Sequence, residues 1–257
     1  MKRLSHALLA AATITAVVAA GAPASLVAQT PGAMPATTRS LVTVSRLNPD
    51  MVTEWFDLQK NEVVPALKKA GVTSRTVLAT QVGNAYEYAT LTPFPSWAAM
   101  DGDAPLVRAL GAEAAARLNA KIRKCILTQQ SYMTNRVDDL NMYAGDALVW
   151  RIAVRRAMPG KMTEYLAFYK ADILPAMQKA KADGKIAGAT VAVRGAGAQS
   201  GEFTTVTYYS KFADMDAGDP MVLTLGQDAV DKIGAKGALL STAVQVIVRR
   251  RVAELSF

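Results

Sequence analysis

At 257 residues, with 51% apolar and 19% charged side chains, the chain has a globular composition long enough for one large domain or two ordinary ones, and intrinsic disorder is excluded. The formal charge of +8 favours anionic partners, but Lys and Arg are scattered rather than set in one block, so the charge reads mostly as solvated surface and nucleic acid is not an expected partner. Cys125 is the only cysteine, which excludes an intramolecular disulfide.

The chain opens MKRLSHALLAAATITAVVAAGAPASLVAQT, with basic Lys2 and Arg3, an apolar run from Ala7 to Ala20, and small residues around Ala24 and Ala28. This is the pattern of a secretory signal peptide over residues 1–28, with Ala24 as the other cleavage candidate. The apolar run falls short of the roughly 20 residues that a bilayer core demands, so no stable membrane insertion is expected after processing. Residues 29–39 read as a flexible lead-in, and the mature protein is expected in the periplasm or outside the cell. The single histidine, His6, lies in the leader, so the mature chain has none. That removes Ser-His-Asp and Cys-His catalysis, His-based metal sites and haem on a proximal His, and leaves Tyr, Lys, Arg, Asn or carboxylate chemistry, or binding alone.

From residue 40 onward the chain repeats itself. TEWFDLQKNEVVPALKKA (Thr53–Ala70) returns 110 residues later as TEYLAFYKADILPAMQKA (Thr163–Ala180). EYATLTPFPSWAAMDGDAPLVRALGAE (Glu87–Glu113) returns 115 residues later as EFTTVTYYSKFADMDAGDPMVLTLGQD (Glu202–Asp228). The change of offset falls in a Gly-rich stretch containing GAGAQSG (Gly195–Gly201), which reads as a flexible hairpin tip because it does not open a helix as a phosphate cradle would.

In chain order, each copy predicts strand, helix, strand, strand, helix, strand. LVTVSR and LVWRIAVRR are β-branched runs; Met162, Leu166, Tyr169, Ile173, Met177 and Ala180 keep helical spacing, with Pro65 and Pro175 near the far ends of the first helices. TVLATQV with EYATLT, and ATVAVR with EFTTVTYYS, alternate as hairpin strands. Pro105 and Pro220 open the second helices, and KCILTQQSYM and TAVQVIVRRR close each copy as strands. The expected fold class is therefore α+β: two tandem ferredoxin-like βαββαβ units, residues 40–140 and 148–257, joined by a linker at 141–147. Each unit leaves one sheet face bare, and the two bare faces can pack sheet to sheet as an intramolecular barrel.

VRRAMPGKMTEYLAFYKADILPAMQKA, a strand ending at a Pro-Gly-Lys turn before a helix, and TVTYYSKFADMDAGDP, a hairpin strand running into aromatic and acidic residues, resemble the dimeric α/β-barrel superfamily, especially its NIPSNAP-like and antibiotic-biosynthesis-monooxygenase-like domains. The first copy has Pro49-Asp50-Met51 where the second has Pro159-Gly160-Lys161, so the turn signature is present in one half only. The resemblance implies the barrel fold; with the leader and the enclosed cavity between the copies, the functional reading is an exported small-molecule-binding protein, and the monooxygenase-like relatives suggest the alternative of a cofactor-independent oxygenase or isomerase acting on an aromatic or polyketide-like compound. It implies no cofactor. No metal-ligand cluster is present in the sequence, and self-association stays open.

Strand alternation assigns the enclosed face, with the hazard that a one-residue slip inverts the whole list. Taking Leu148, Trp150, Ile152 and Val154 as the helix-facing set turns Arg151 and Arg155 inward, as candidates for an anion contact or, equally, as strand-end residues reaching solvent. The same counting puts Tyr88, Gln130, Tyr132, Arg136, Tyr209, Gln245 and Arg249 on the enclosed face, which suits a small polar or anionic ligand. Glu54 and Glu164 recur at the start of the first helix of each copy, either as general bases or as residues favoured by the helix dipole.

Overall fold

The computed structural model describes residues 37–257; the expected leader and the lead-in up to residue 36 lie outside the described residues. Eight strands follow in chain order: β1 Thr37–Leu47, β2 Thr76–Val82, β3 Glu87–Pro93, β4 Ile126–Val137, β5 Val149–Ala157, β6 Gly188–Arg194, β7 Glu202–Tyr209 and β8 Ser241–Arg251. They pair antiparallel throughout and close in the order β1-β3-β2-β8-β5-β7-β6-β4. The chain is thus a mixed α+β fold built on a closed eight-stranded antiparallel barrel. Among the described residues, no helix is long and apolar enough to cross a membrane.

Strand order within the two halves is the same, β4-β1-β3-β2 and β8-β5-β7-β6. Two short seams join them. β2 meets β8 from Leu78↔Arg251 to Val82↔Val248, and β4 meets β6 from Thr134↔Arg194 to Arg136↔Ala192.

Helices cover the outside of the barrel: α1 Val52–Leu58, α2 Val64–Lys69, α3 Pro105–Leu110, α4 Ala112–Lys124, α5 Met162–Phe168, α6 Leu174–Ala182, α7 Pro220–Leu225 and α8 Gln227–Ala238. The first helix of each half is interrupted by a π-helical turn, Gln59–Val63 and Tyr169–Ile173. The cause is the proline just beyond. Pro65 and Pro175 have no N–H for the usual bond, and their rings crowd the carbonyl four residues back, so the preceding turn widens. Val64 N–H accordingly donates to Gln59 O, and Leu174 N–H to Tyr169 O. These prolines lie inside the helices rather than at their far ends.

The helices bury three apolar clusters against the outer barrel wall. Trp55, Leu58, Val77, Leu118, Cys125 and Leu255 form one, with the C-terminal residues folded back onto the first half: Arg75 and Phe257 exchange backbone hydrogen bonds of 2.7 and 2.9 Å. Tyr165, Tyr169 and Phe203 form the second, with the rings of Tyr165 and Phe203 4.4 Å apart, and Val149, Met177, Ala180 and Tyr209 the third. A fourth cluster, including Val42, Leu78, Trp150, Val206 and Tyr208, lies inside the barrel. Both faces of the sheet therefore carry buried apolar side chains.

Gly111 and Gly226 break the second helix of each half in the same conformation, φ 81° and ψ 160°, a region open essentially to glycine alone. A Cβ at either position would meet no atom within 4 Å, so a substitution there tests backbone strain without a clash. Gly111→Ala and Gly226→Ala should each cost about 1–3 kcal/mol in urea denaturation. Gly102→Ala, with equally open space and no positive φ, should change stability by less than about 0.5 kcal/mol.

Candidate functional site

Inside the barrel, the side chains of alternate residues on all eight strands surround a cavity of about 230 Å³. Its apolar wall comes from Val42, Leu78, Leu91, Ile152 and Val206, and an aromatic group occupies one side. Trp150 and Tyr208 meet edge to face at 4.8 Å, and Tyr143 stands 5.7 Å from Tyr208 and 6.1 Å from Trp150. Trp150 Nε1 donates to Ala147 O at 3.1 Å, which fixes the indole.

Four arginines line the same space: Arg39, Arg136, Arg194 and Arg249. Arg249 is 4% exposed and pairs with Glu87; Arg194 pairs with Glu202 at 3.2 Å and lies 4.5 Å over the Tyr132 ring. Arg136 lies 4.2 Å over the Tyr143 ring and has no ion-pair partner among the described residues. The Nε atoms of Arg136, Arg194 and Arg249 are all buried without a hydrogen-bond partner among the described residues. Burial, opposed by Glu87, pulls the Arg249 guanidinium below the usual arginine range. Among the described residues, no Asp, Glu, Lys, Cys or His lines the cavity. Glu87 and Glu202 share the inward parity of β3 and β7, and both are held by arginines.

The expected facing of the strands is inverted on β3, β5 and β7. Arg151 and Arg155 lie on the outer wall: Arg151 shares the parity of buried Val149, and Arg155 Nε donates to Ser241 Oγ at 3.1 Å while its guanidinium sits 6.0 Å over the Tyr165 ring of α5. Tyr88 packs on Trp55 at 4.8 Å and Tyr209 in the cluster with Met177, both outside the cavity. Tyr132, Arg136 and Arg249 do face inward as expected. Gln130 and Gln245 lie on exposed stretches of β4 and β8 and do not line the cavity. Glu54 and Glu164 are exposed on α1 and α5, and Glu164 is bonded to Lys161 at 2.5 Å. Cys125 is fully buried, and burial followed by the nearby Glu54 charge raises its thiol pKa.

Arg194, Trp150, Tyr208 and Tyr143 were missed by alternation. The available signal was the pairing of strands: once Arg249 is inward, Trp150, its cross-strand partner, must be inward too.

No protein-family model and no curated protein sequence matches the chain. Solved structures do. A candidate monooxygenase of Lactobacillus acidophilus NCFM superposes over 84% of this chain and 94% of its own, with TM-score 0.53 at 9% identity. An anthrone oxidase-like protein matches over 84% and 91%, with TM-score 0.53 at 10% identity. A candidate monooxygenase of Fusobacterium nucleatum subsp. nucleatum matches over 84% and 93%, with TM-score 0.55 at 11% identity. These neighbours are dimeric α/β-barrel proteins, and the chain resembles them in fold. At such identities the likeness carries the fold and no activity.

Two consequences can be measured. Glu87→Gln leaves a buried guanidinium without its counter-charge and should cost about 3–5 kcal/mol, most of it recovered in the double variant Glu87→Leu/Arg249→Met. Burial also raises the pKa of Tyr88, Tyr165, Tyr169, Tyr208 and Tyr209 above the ordinary 10.0. A phenol raised in the folded chain binds its proton more tightly there than in the unfolded one, so this contribution is complete below about pH 10 and is lost above it. Stability should fall from that pH upward, and in ultraviolet titration these five of the eight tyrosines should ionise only as the chain unfolds.

Proposed function

We propose that this chain is an exported ligand-binding barrel whose lumen takes a small anion carrying an aromatic ring. One observation carries the reading: Arg136, Arg194 and Arg249 line a cavity that has no lining carboxylate among the described residues, Arg136 lacks the glutamate partner that the other two have, and an aromatic cluster of Trp150, Tyr208 and Tyr143 stands beside them. A carboxylate or similar oxyanion would pair with Arg136, and the apolar wall would desolvate the rest of the molecule. The reading as a cofactor-independent oxygenase or isomerase needs a general base. Among the described residues the cavity's titratable lining consists of Tyr and Arg alone, and burial raises the Tyr208 pKa and holds its phenol protonated, so binding without chemistry is favoured.

The same reading takes the barrel as two ferredoxin-like copies, 40–140 and 148–257, joined through 141–147 and preceded by a signal peptide at 1–28. In its support, both halves share one strand order, π-helical turns recur 110 residues apart, and Gly111 and Gly226 hold the same backbone angles.

Native mass spectrometry of the protein purified from its own periplasm tests both parts. The expected result is a chain beginning at Gln29 with an anionic aromatic compound retained; an intact leader would sink the export reading. In titrations, benzoate should bind the processed protein at least about tenfold more tightly than the neutral benzyl alcohol, and Arg136→Met should remove that preference. Equal affinity for the two probes would count against an anion site.

A further inference from the structure

The three lumen arginines with buried Nε atoms are held in two different ways. Arg194 and Arg249 are bonded to Glu202 and Glu87, whose charges offset theirs. Arg136 has no carboxylate partner among the described residues, and its guanidinium carbon stands 4.2 Å from the centre of the Tyr143 ring. A ring face attracts a cation through its quadrupole but carries no net charge. Arg136 is thus fixed in place with its positive charge left to act on the cavity that it lines.

Tyr143 belongs to neither sheet. It sits in the stretch joining the two halves, 141–147, which is fastened at both ends. Met142 and Ala189 of β6 exchange backbone hydrogen bonds of 2.7 and 3.1 Å, and Thr190 Oγ1 donates to Asn141 Oδ1 at 2.8 Å; at the other end Trp150 Nε1 holds Ala147 O. Gly188 admits this approach, since a Cβ there would lie 2.0 Å from Met142 O. Between the fastenings the phenol rests against Gly145, where an added Cβ would fall 2.3 Å from Tyr143 Oη. Tyr208 and Trp150 meet the same ring edge to face. The sequence RVDDL, which begins at Arg136, returns as RVAEL from Arg251. Arg251 also has a buried Nε without a partner, yet no ring lies under its guanidinium among the described residues, and it does not line the cavity. Beyond it Phe257 bonds Arg75 instead. The arginine is a lumen residue in the copy whose following segment brings a tyrosine back over the barrel.

We propose that Tyr143 is a positioning residue of the anion site: its ring holds the Arg136 guanidinium toward the lumen without neutralising it, so that a ligand carboxylate takes the part that glutamates take beside Arg194 and Arg249. This assignment rests on the reading of the lumen as an anion-binding cavity. It adds that the preference for charge is set by the segment between the halves as well as by the strands. The two contacts do not compete, because a ring stacks on the face of a guanidinium while a carboxylate is bonded by the N–H groups in its plane. Stacking also restrains that plane, which lowers the freedom lost when the carboxylate arrives.

Titrations with benzoate and benzyl alcohol read the assignment as a change in the ratio of the two affinities. Tyr143→Leu, which keeps an apolar side chain but no ring, should cut the preference for benzoate by about five- to tenfold. Tyr143→Phe, which keeps the ring face, should hold the preference within about twofold of the wild-type value. Gly145→Ala leaves Tyr143 in the sequence but drives its ring from under Arg136, and should lower the preference as Tyr143→Leu does. Gly145 has no positive φ, so the variant adds no backbone strain and carries the test even where Tyr143→Leu fails to fold. In an Arg136→Met background Tyr143→Leu should bring no further loss of preference, since the ring acts through that guanidinium. Equal affinities of the wild-type protein for the two probes would overturn the anion site itself, and this assignment with it. A wild-type preference that Arg136→Met abolishes but Tyr143→Leu and Gly145→Ala retain would overturn the assignment alone. So would equal weakening of both probes in those two variants, the mark of a residue that merely walls the cavity.

Discussion

The interior exists because two short seams hold. β2 on β8 and β4 on β6 contribute only a few residue pairs each, against the long ladders of β1 with β4 and β5 with β8. Without those seams each four-stranded half would expose a face carrying Trp150, Val206 and Tyr208, or Val42, Leu78 and Leu91, to water. At about 25 cal/mol per Å², burying two such faces against each other outweighs the few hydrogen bonds that the seams add. The hydrogen bonds set the register, and the apolar faces supply the driving force. The C-terminal residues extend the joining, since Leu255 is fully buried among first-half residues and Phe257 bonds Arg75.

Closure has an electrostatic cost, and its distribution marks the site. Of the arginines with orphaned Nε atoms, the three that line the cavity sit on seam strands: Arg136 on β4, Arg194 on β6 and Arg249 on β8. Bringing the halves together therefore gathers positive charge in a dry space, and the Arg194 charge bears on Arg249. Glu87 and Glu202 offset part of that cost, and the Tyr132 and Tyr143 rings offset a little more through their π faces. Arg136, which lines the cavity, has no such counter-charge among the described residues. A core built for stability alone would replace such groups with aliphatic side chains at no loss. On the proposed reading they are kept to meet negative charge in the lumen.

The order of elements and the closed barrel were legible because they rest on period and repetition, which survive in a single sequence. The facing of the strands was not. In β7, Phe203, Thr205, Thr207 and Tyr209 alternate with Glu202, Thr204, Val206 and Tyr208, two sets of nearly equal polarity. Alternation identifies the buried face only when one face is wet. Here helices cover one face and the opposite half covers the other, so the apolar set of β5, with Trp150 and Ile152, was assigned to the helices when it lines the lumen. β4 and β8 were read in the right sense because their inward sets carry Tyr132, Arg136 and Arg249, polar enough to stand apart.

The two halves agree where folding requires it and differ where the surface is at stake. The prolines that open π-helical turns and the glycines that break the second helices recur because the same backbone path recurs. The hairpin turns need not match, since each lies outside the barrel. The longer one lays Gly195 and Ala196 against Met133 of β4, with backbone bonds of 2.8 Å, while the shorter one, Gly83–Tyr86, stays a four-residue turn.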